Sequence, residues 1–211
     1  MSIISLKNIN KSFGSNKILD NFNLEIEKGE FIAIVGESGS GKSTLLNIIG
    51  MLDDFDSGEL IVSGNKNLKS SSKDAEKLRR HEIGYIFQNF ALIDNVTVSE
   101  NLDIALTYRD DIKDKENVKL KILKEIGLPD KINSKIYELS GGEQQRVSIS
   151  MVFLKPCNII LADEPTGSLD DINKEIIMDF LKKVNKGGKT VIIVTHDKDV
   201  SKMCNKIVKL K

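Results

Sequence analysis

Short β-branched runs recur at 3–9, 22–26, 31–35, 59–62, 83–87, 159–163, 190–194 and 207–210, and each predicts a strand. Between the last-but-two and last-but-one runs, Ile172, Ile176, Ile177, Phe180, Leu181 and Val184 recur at helical spacing. A helix between two strands is the pattern of a crossover packed on a parallel sheet, which predicts an α/β core. From about 98 to 154 the strand pattern gives out. Thr97 and Glu100 have capping-box spacing there, and Val118, Ile122, Leu123 and Ile126 form an apolar stripe, so an inserted helical lobe is expected. Ser70-Ser71-Ser72 reads as a loop leading into 73–80, where Lys77, Arg79 and Arg80 read as a solvated helix face.

A length of 211 residues suits one sizeable core, or one domain with a smaller lobe inserted into it. The 31 basic and 31 acidic residues cancel, so there is no global pull toward nucleic acid or anionic lipid, and no nucleic-acid partner is expected. The longest apolar runs are strand-length and far too short to cross a bilayer, so membrane association has to come through a partner. Met1-Ser2-Ile3-Ile4-Ser5-Leu6-Lys7 lacks the charged start, apolar stretch and cleavage site of a secretory signal, and the chain is expected to stay in the cytosol. Cys157 and Cys204 lack metal-like spacing and read as buried or indifferent side chains.

Chemistry enters with Gly36-Glu37-Ser38-Gly39-Ser40-Gly41-Lys42-Ser43, which fits G-x-x-x-x-G-K-[ST] at every fixed position. Between the strand at 31–35 and a helix beginning near Lys42, such a turn points successive backbone N–H groups at one anion, aided by the helix dipole. Lys42 is suited to the β- and γ-phosphates of a nucleoside triphosphate, the Ser43 hydroxyl to Mg²⁺, and Thr44 to the α-phosphate. Downstream, Ile159-Ile160-Leu161-Ala162 ends in Asp163-Glu164, two carboxylates at the edge where ligands of open α/β sheets sit. Asp163 suits Mg²⁺, directly or through water, and Glu164 suits orienting or deprotonating the attacking water. His196 and Gln88 likewise follow apolar runs. The first is placed to contact a γ-phosphate and the second to reach Mg²⁺ or the water, though position alone leaves structural roles open.

The phosphate loop, Gln88, Leu139-Ser140-Gly141-Gly142-Glu143, Asp163-Glu164, Ser168-Leu169-Asp170 and His196 occur in the order found in ATP-binding-cassette (ABC) ATPases, a family the whole chain resembles. The resemblance implies a P-loop (RecA-like) core with an N-terminal antiparallel β subdomain, 1–88 and 155–211, and a helical subdomain at 89–154. It implies a homodimer in which Ser140, Gly141 and Gly142 of one subunit complete the ATP site of the other. By the same resemblance Phe13 stacks on adenine, His196 is the switch histidine, and Gln88 is the joint that senses the γ-phosphate and faces a membrane permease. Asp170 is the acid that communicates between the two sites.

The finer resemblance is to the macrolide-efflux and lipoprotein-release branch, through 162–170 and 40–50, and within it to lactococcin-type bacteriocin exporters, through 87–93 and 100–102. The expected function is ATP hydrolysis that drives export of a peptide, antibiotic or lipoprotein, with the chain on the cytoplasmic face of the membrane. A mechanotransmitter that activates cell-wall hydrolysis is the alternative. A soluble cassette ATPase acting on ribosomes or DNA fits less well, because such relatives carry two cassettes or a long coiled-coil insertion. Ser150-Met151-Val152 stands where the family usually has Ala-Arg-Ala, and the chain reads to Lys211 just past the last strand, as expected of a minimal motor.

Overall fold

The computed structural model describes residues 2–167 and 169–210. Met1, Lys211 and Ser168 of the 168–170 motif lie outside them. In chain order the elements are β1 (Ser2–Phe13), β2 (Asn16–Glu27), β3 (Phe31–Val35), α1 (Lys42–Ile49), β4 (Ser57–Val62), β5 (Asn65–Lys66), α2 (Lys73–His81) and β6 (Ile83–Ile86). They continue as α3 (Val98–Ala105), α4 (Lys115–Glu125), α5 (Gly141–Leu154), β7 (Ile159–Asp163), α6 (Asp171–Lys186), β8 (Thr190–Val194), α7 (Lys198–Lys202) and β9 (Lys206–Lys209).

The strands form two sheets. An antiparallel one runs β2-β1-β4-β5, and a parallel one runs β6-β7-β8-β3-β9. Both faces of the parallel sheet are covered, which is why β3, β7 and β8 read as unbroken apolar runs. Alternate residues feed two cores. Phe31, Ile160, Ala162, Val191 and Ile193 pack toward α3, α4, α5 and α6, while Ile32, Ile34, Leu161, Ile192 and Val194 pack toward α1 and the antiparallel sheet. The expected α/β fold, with its antiparallel β subdomain and helical insertion, is the one observed.

Between 98 and 154 the described residues hold helices, a 3₁₀ turn at Ile136–Glu138 and no strand. The capping box forms as read: Thr97 Oγ1 accepts from Glu100 N, and the Glu100 carboxylate accepts from Thr97 N at 2.7 Å. Ile122, Leu123 and Ile126 are buried and Val118 packs against them.

Two readings need correction. On α6, Ile177, Leu181 and Val184 lie at i, i+4 and i+7 and are buried with Met178 and Phe180. Ile172 and Ile176 share a different face and point to solvent, Ile172 at 74% exposure. Arg79 is not part of a solvated face. Its Nη1 donates to Met51 O at 2.6 Å and Ser70 O at 2.9 Å, tying α2 to the segment after α1. The two-residue strand β5 escaped notice because so short a pairing leaves no alternation to detect. Among the described residues no helix is long and apolar enough to cross a membrane.

Candidate nucleotide site

The loop 36–41 leaves the C-terminal edge of β3 and turns into α1 through Gly41, whose φ of 89° is left-handed. A Cβ there would lie 2.4 Å from Ile18 Cγ2, and one at Gly36 would lie 2.5 Å from Ser40 Oγ and 2.7 Å from Leu210 O. Glycine is therefore required at both positions. Contact with Ile18 on β2 also sets the β1–β2 hairpin beside the loop. Phe13 stands at that hairpin's end, paired with Asn16, 53% exposed, with Lys11 Nζ 4.7 Å from its ring centre.

Lys42 is buried and donates to Gly36 O at 2.9 Å and Glu37 O at 2.7 Å, so its ammonium is curled into the loop. Ser40 N donates to Glu37 O at 3.2 Å, while Ser40 Oγ is buried without a partner. A buried hydroxyl left unpaired beside a lysine and a helix N-terminus fits a phosphate group. Ser38 and Gly39 form the exposed tip, and Thr44 lies half-buried in the first turn of α1.

Ser43 Oγ donates to Asp163 Oδ1 at 3.1 Å, joining α1 to the end of β7. Burial pushes the Asp163 carboxyl above its ordinary range, and the charge of Glu164 adds to this, against the Ser43 hydrogen bond and Lys42. A hydroxyl and a carboxylate are hard oxygen donors of the kind that suits Mg²⁺. Among the described residues no cluster of three His, Cys, Asp or Glu could hold a metal alone.

Glu164 adopts a φ of 46°, unusual for a residue with a side chain, and its N–H donates to Val194 O at 3.0 Å. This turns the carboxylate over the end of β8. There His196 N donates to Oε1 at 3.0 Å, His196 Nδ1 lies 2.7 Å from the same oxygen, and Thr195 Oγ1 donates to Oε2 at 3.1 Å. Gln88 lies exposed in the turn after β6, and its side chain makes no hydrogen bond among the described residues. The structure thus brings Lys42, Ser43, Asp163, Glu164 and His196 to one sheet edge and leaves Gln88 unattached.

Ser140 caps α5. Its Oγ accepts from Glu143 N at 3.3 Å, and Ser140 N donates to the Glu143 carboxylate at 2.8 Å. That backbone donor, first among the causes, holds the Glu143 carboxyl below its usual range. Among the described residues Ser140, Gly141 and Gly142 make no hydrogen bond to the phosphate loop of their own chain. Instead α5 reaches the start of α6: Arg146 Nη1 donates to Asn173 Oδ1, and Asn173 N donates to Asp170 Oδ1 at 2.8 Å. Asp170 is exposed, and the Asn173 N–H, as the largest cause, keeps its carboxyl low. Ser150 is buried and bonds Arg146 O at 2.8 Å within the helix. Met151 lines a groove beside Phe87 and Tyr108.

Sequence reasoning missed Thr195, Asn173, and the bond of Lys174 Nζ to Asp197 Oδ2 at 2.7 Å. Thr195 had one available signal, its place between a buried run and His196. The Arg146–Asn173 and Lys174–Asp197 contacts depend on α6 meeting its neighbours in space.

The ABC transporter family model matches residues 19–167. The macrolide export ATP-binding/permease protein MacB of Campylobacter jejuni is 41% identical over 99% of the chain and 33% of its own length. MacB of Neisseria meningitidis serogroup B is 40% identical over the whole chain and 34% of its own length. The chain thus spans about a third of the curated relatives it matches. Among solved structures, the dimeric ATP-binding cassette MJ0796 in a post-hydrolysis state bound to ADP and Pi has a TM-score of 0.89 and 42% identity. That match covers 99% of this chain and 94% of the cassette. These names support the macrolide-efflux branch and do not extend to the bacteriocin exporters expected from 87–93.

Proposed function

The chain belongs to the ABC transporter ATP-binding family, in the macrolide-efflux and lipoprotein-release branch, and from that premise we propose that it hydrolyses ATP as one of two identical subunits that drive a membrane permease. The observation that carries the hydrolytic part is the gathering of Glu164, with Thr195 and His196 bound to it, beside the Ser43–Asp163 pair.

In this reading the amides of 36–41, with Ser40 Oγ and Lys42, hold the phosphates, and Thr44 adds to the α-phosphate. Lys42 gives up its bonds to Gly36 O and Glu37 O to do so. Ser43, Asp163 and Gln88 would hold Mg²⁺, which when bound would neutralise charge on the phosphates. Glu164 orients and deprotonates the water, His196 contacts the γ-phosphate, and Phe13 stacks on adenine. The cap of α5, Ser140 to Gly142, seals the site of the second subunit, and Asp170 links the two sites. Binding energy shared between subunits only in the closed pair shifts the open–closed equilibrium, and loss of the bridging phosphate reverses it.

The division into 1–88 with 155–211 and 89–154 belongs to the same reading, since Gln88 is then the joint between moving parts. Beside it lies a groove of about 380 Å³ lined by Leu52, Phe87, Phe90, Ile104, Tyr108 and Met151, suited to an apolar segment of the permease. Export is the direction supported by the macrolide exporters' names. Glu164→Gln tests the proposal: ATP-dependent dimers should persist on a sizing column while turnover falls at least about a hundredfold. Parent-level turnover in that variant contradicts it.

A further inference from the structure

The hold on Glu164 has two parts of different character. At Oε1 the partners are the backbone N–H of His196 and, at 2.7 Å, the imidazole Nδ1 of the same residue. That imidazole side chain is 72% exposed. At Oε2 the sole partner among the described residues is the hydroxyl of Thr195, which is fully buried.

The direction of the Thr195 hydroxyl is fixed by its surroundings. Its oxygen accepts from Asp197 N at 3.0 Å, leaving its proton for the carboxylate. Asp197 is itself immobilised, because Oδ1 accepts from Asp199 N and Val200 N as the cap of α7 and Oδ2 takes Lys174 from α6. Behind it, Thr195 N donates to Ile34 O at 3.1 Å, on the strand that leads into the phosphate loop.

We propose that Thr195 is a positioning residue for Glu164, its hydroxyl and the His196 N–H forming a two-point clamp that holds the carboxylate plane when the imidazole turns to the nucleotide. The terminal torsion of a glutamate is broad, so a carboxylate held at one oxygen alone swings about it. A water-activating base that swings loses reach, and displacement by about 1 Å costs on the order of a hundredfold in rate. This inference rests on Glu164 acting as the base.

The test is single-turnover hydrolysis of MgATP by the full chain carrying Thr195→Val, Thr195→Ser and Glu164→Gln, and by the Thr195→Val/Glu164→Gln double variant. Thr195→Val should lower the rate by about tenfold to a hundredfold with the ATP concentration for half-maximal rate within about twofold. Serine should restore most of it, and in the Glu164→Gln background the valine should cause no further loss. If valine prevents folding, judged by the thermal melt, Thr195→Cys takes its place, since a thiol fills the site but donates weakly. A parent-like rate for the valine variant beside a collapsed Glu164→Gln overturns the clamp and leaves the base intact. Equal losses in both backgrounds, or no rescue by serine, also overturn it. Parent-like turnover by Glu164→Gln removes the base itself, whatever Thr195 does.

Discussion

Ser43 and Asp163, 120 residues apart in sequence, meet at 3.1 Å across the ends of α1 and β7. The hydrogen bond offsets only part of what burial and Glu164 impose on the Asp163 carboxyl, whose folded pKa stays above the ordinary value of 3.8. A raised carboxyl contributes stability that is full below the unfolded value and lost as pH rises through the folded one. Where it is ionised, Asp163 therefore weakens the ligand-free fold. Asp163→Asn should melt higher than the parent at neutral pH, with the gain vanishing in acid. It should also lose at least about tenfold in Mg²⁺-dependent ATP affinity. A lower melting temperature at neutral pH, or unchanged metal dependence, contradicts the assignment.

The Lys174–Asp197 pair has the opposite linkage. The Lys174 hydrogen bond, as the largest cause, holds the Asp197 carboxyl below its ordinary range, so the pair's contribution is present above the unfolded value and fades as pH falls through the lowered one. Lys174→Met should destabilise by about 0.5–1 kcal/mol at neutral pH, since both side chains remain partly solvated. Urea midpoints of parent and variant should converge in acid. A pH-independent gap points instead to packing of the lysine stem.

Arg79 and Lys77 share α2 but not a role. Arg79→Met strands the carbonyls of Met51 and Ser70 and should cost about 1.5–3 kcal/mol, the usual range for charge-assisted bonds. Lys77→Met, on the exposed side, should stay within about 0.5 kcal/mol. Chemical denaturation of both variants separates the cases, and equal effects contradict the buried tie.

That contrast shows where the sequence stops being legible. Buried parallel strands have nowhere to place a polar residue, so β3, β7 and β8 could be read directly from their apolar runs. The capping box of Thr97 and Glu100 is local chemistry and was equally readable. Arg79 carries no local mark distinguishing it from Lys77; its acceptors belong to other segments. Ile172 and Ile176 fit a helical period yet face solvent, because periodicity gives a stripe without saying how wide the covered part is. The strand order β6-β7-β8-β3-β9 is likewise set by long-range pairing. In the site, the phosphate loop announces itself by spacing, whereas Thr195 looks like one more strand residue until Glu164 folds over it.

The shared site is tested most directly by mixing two variants, Lys42→Ala and Ser140→Arg, each inactive alone. In a head-to-tail pair, a mixed dimer puts both defects in one site and leaves the other whole, so random pairing should restore up to about a quarter of the parent ATP turnover. If each chain completes its own site, no mixed dimer contains an intact one. A mixture as inactive as its two components contradicts the composite pocket.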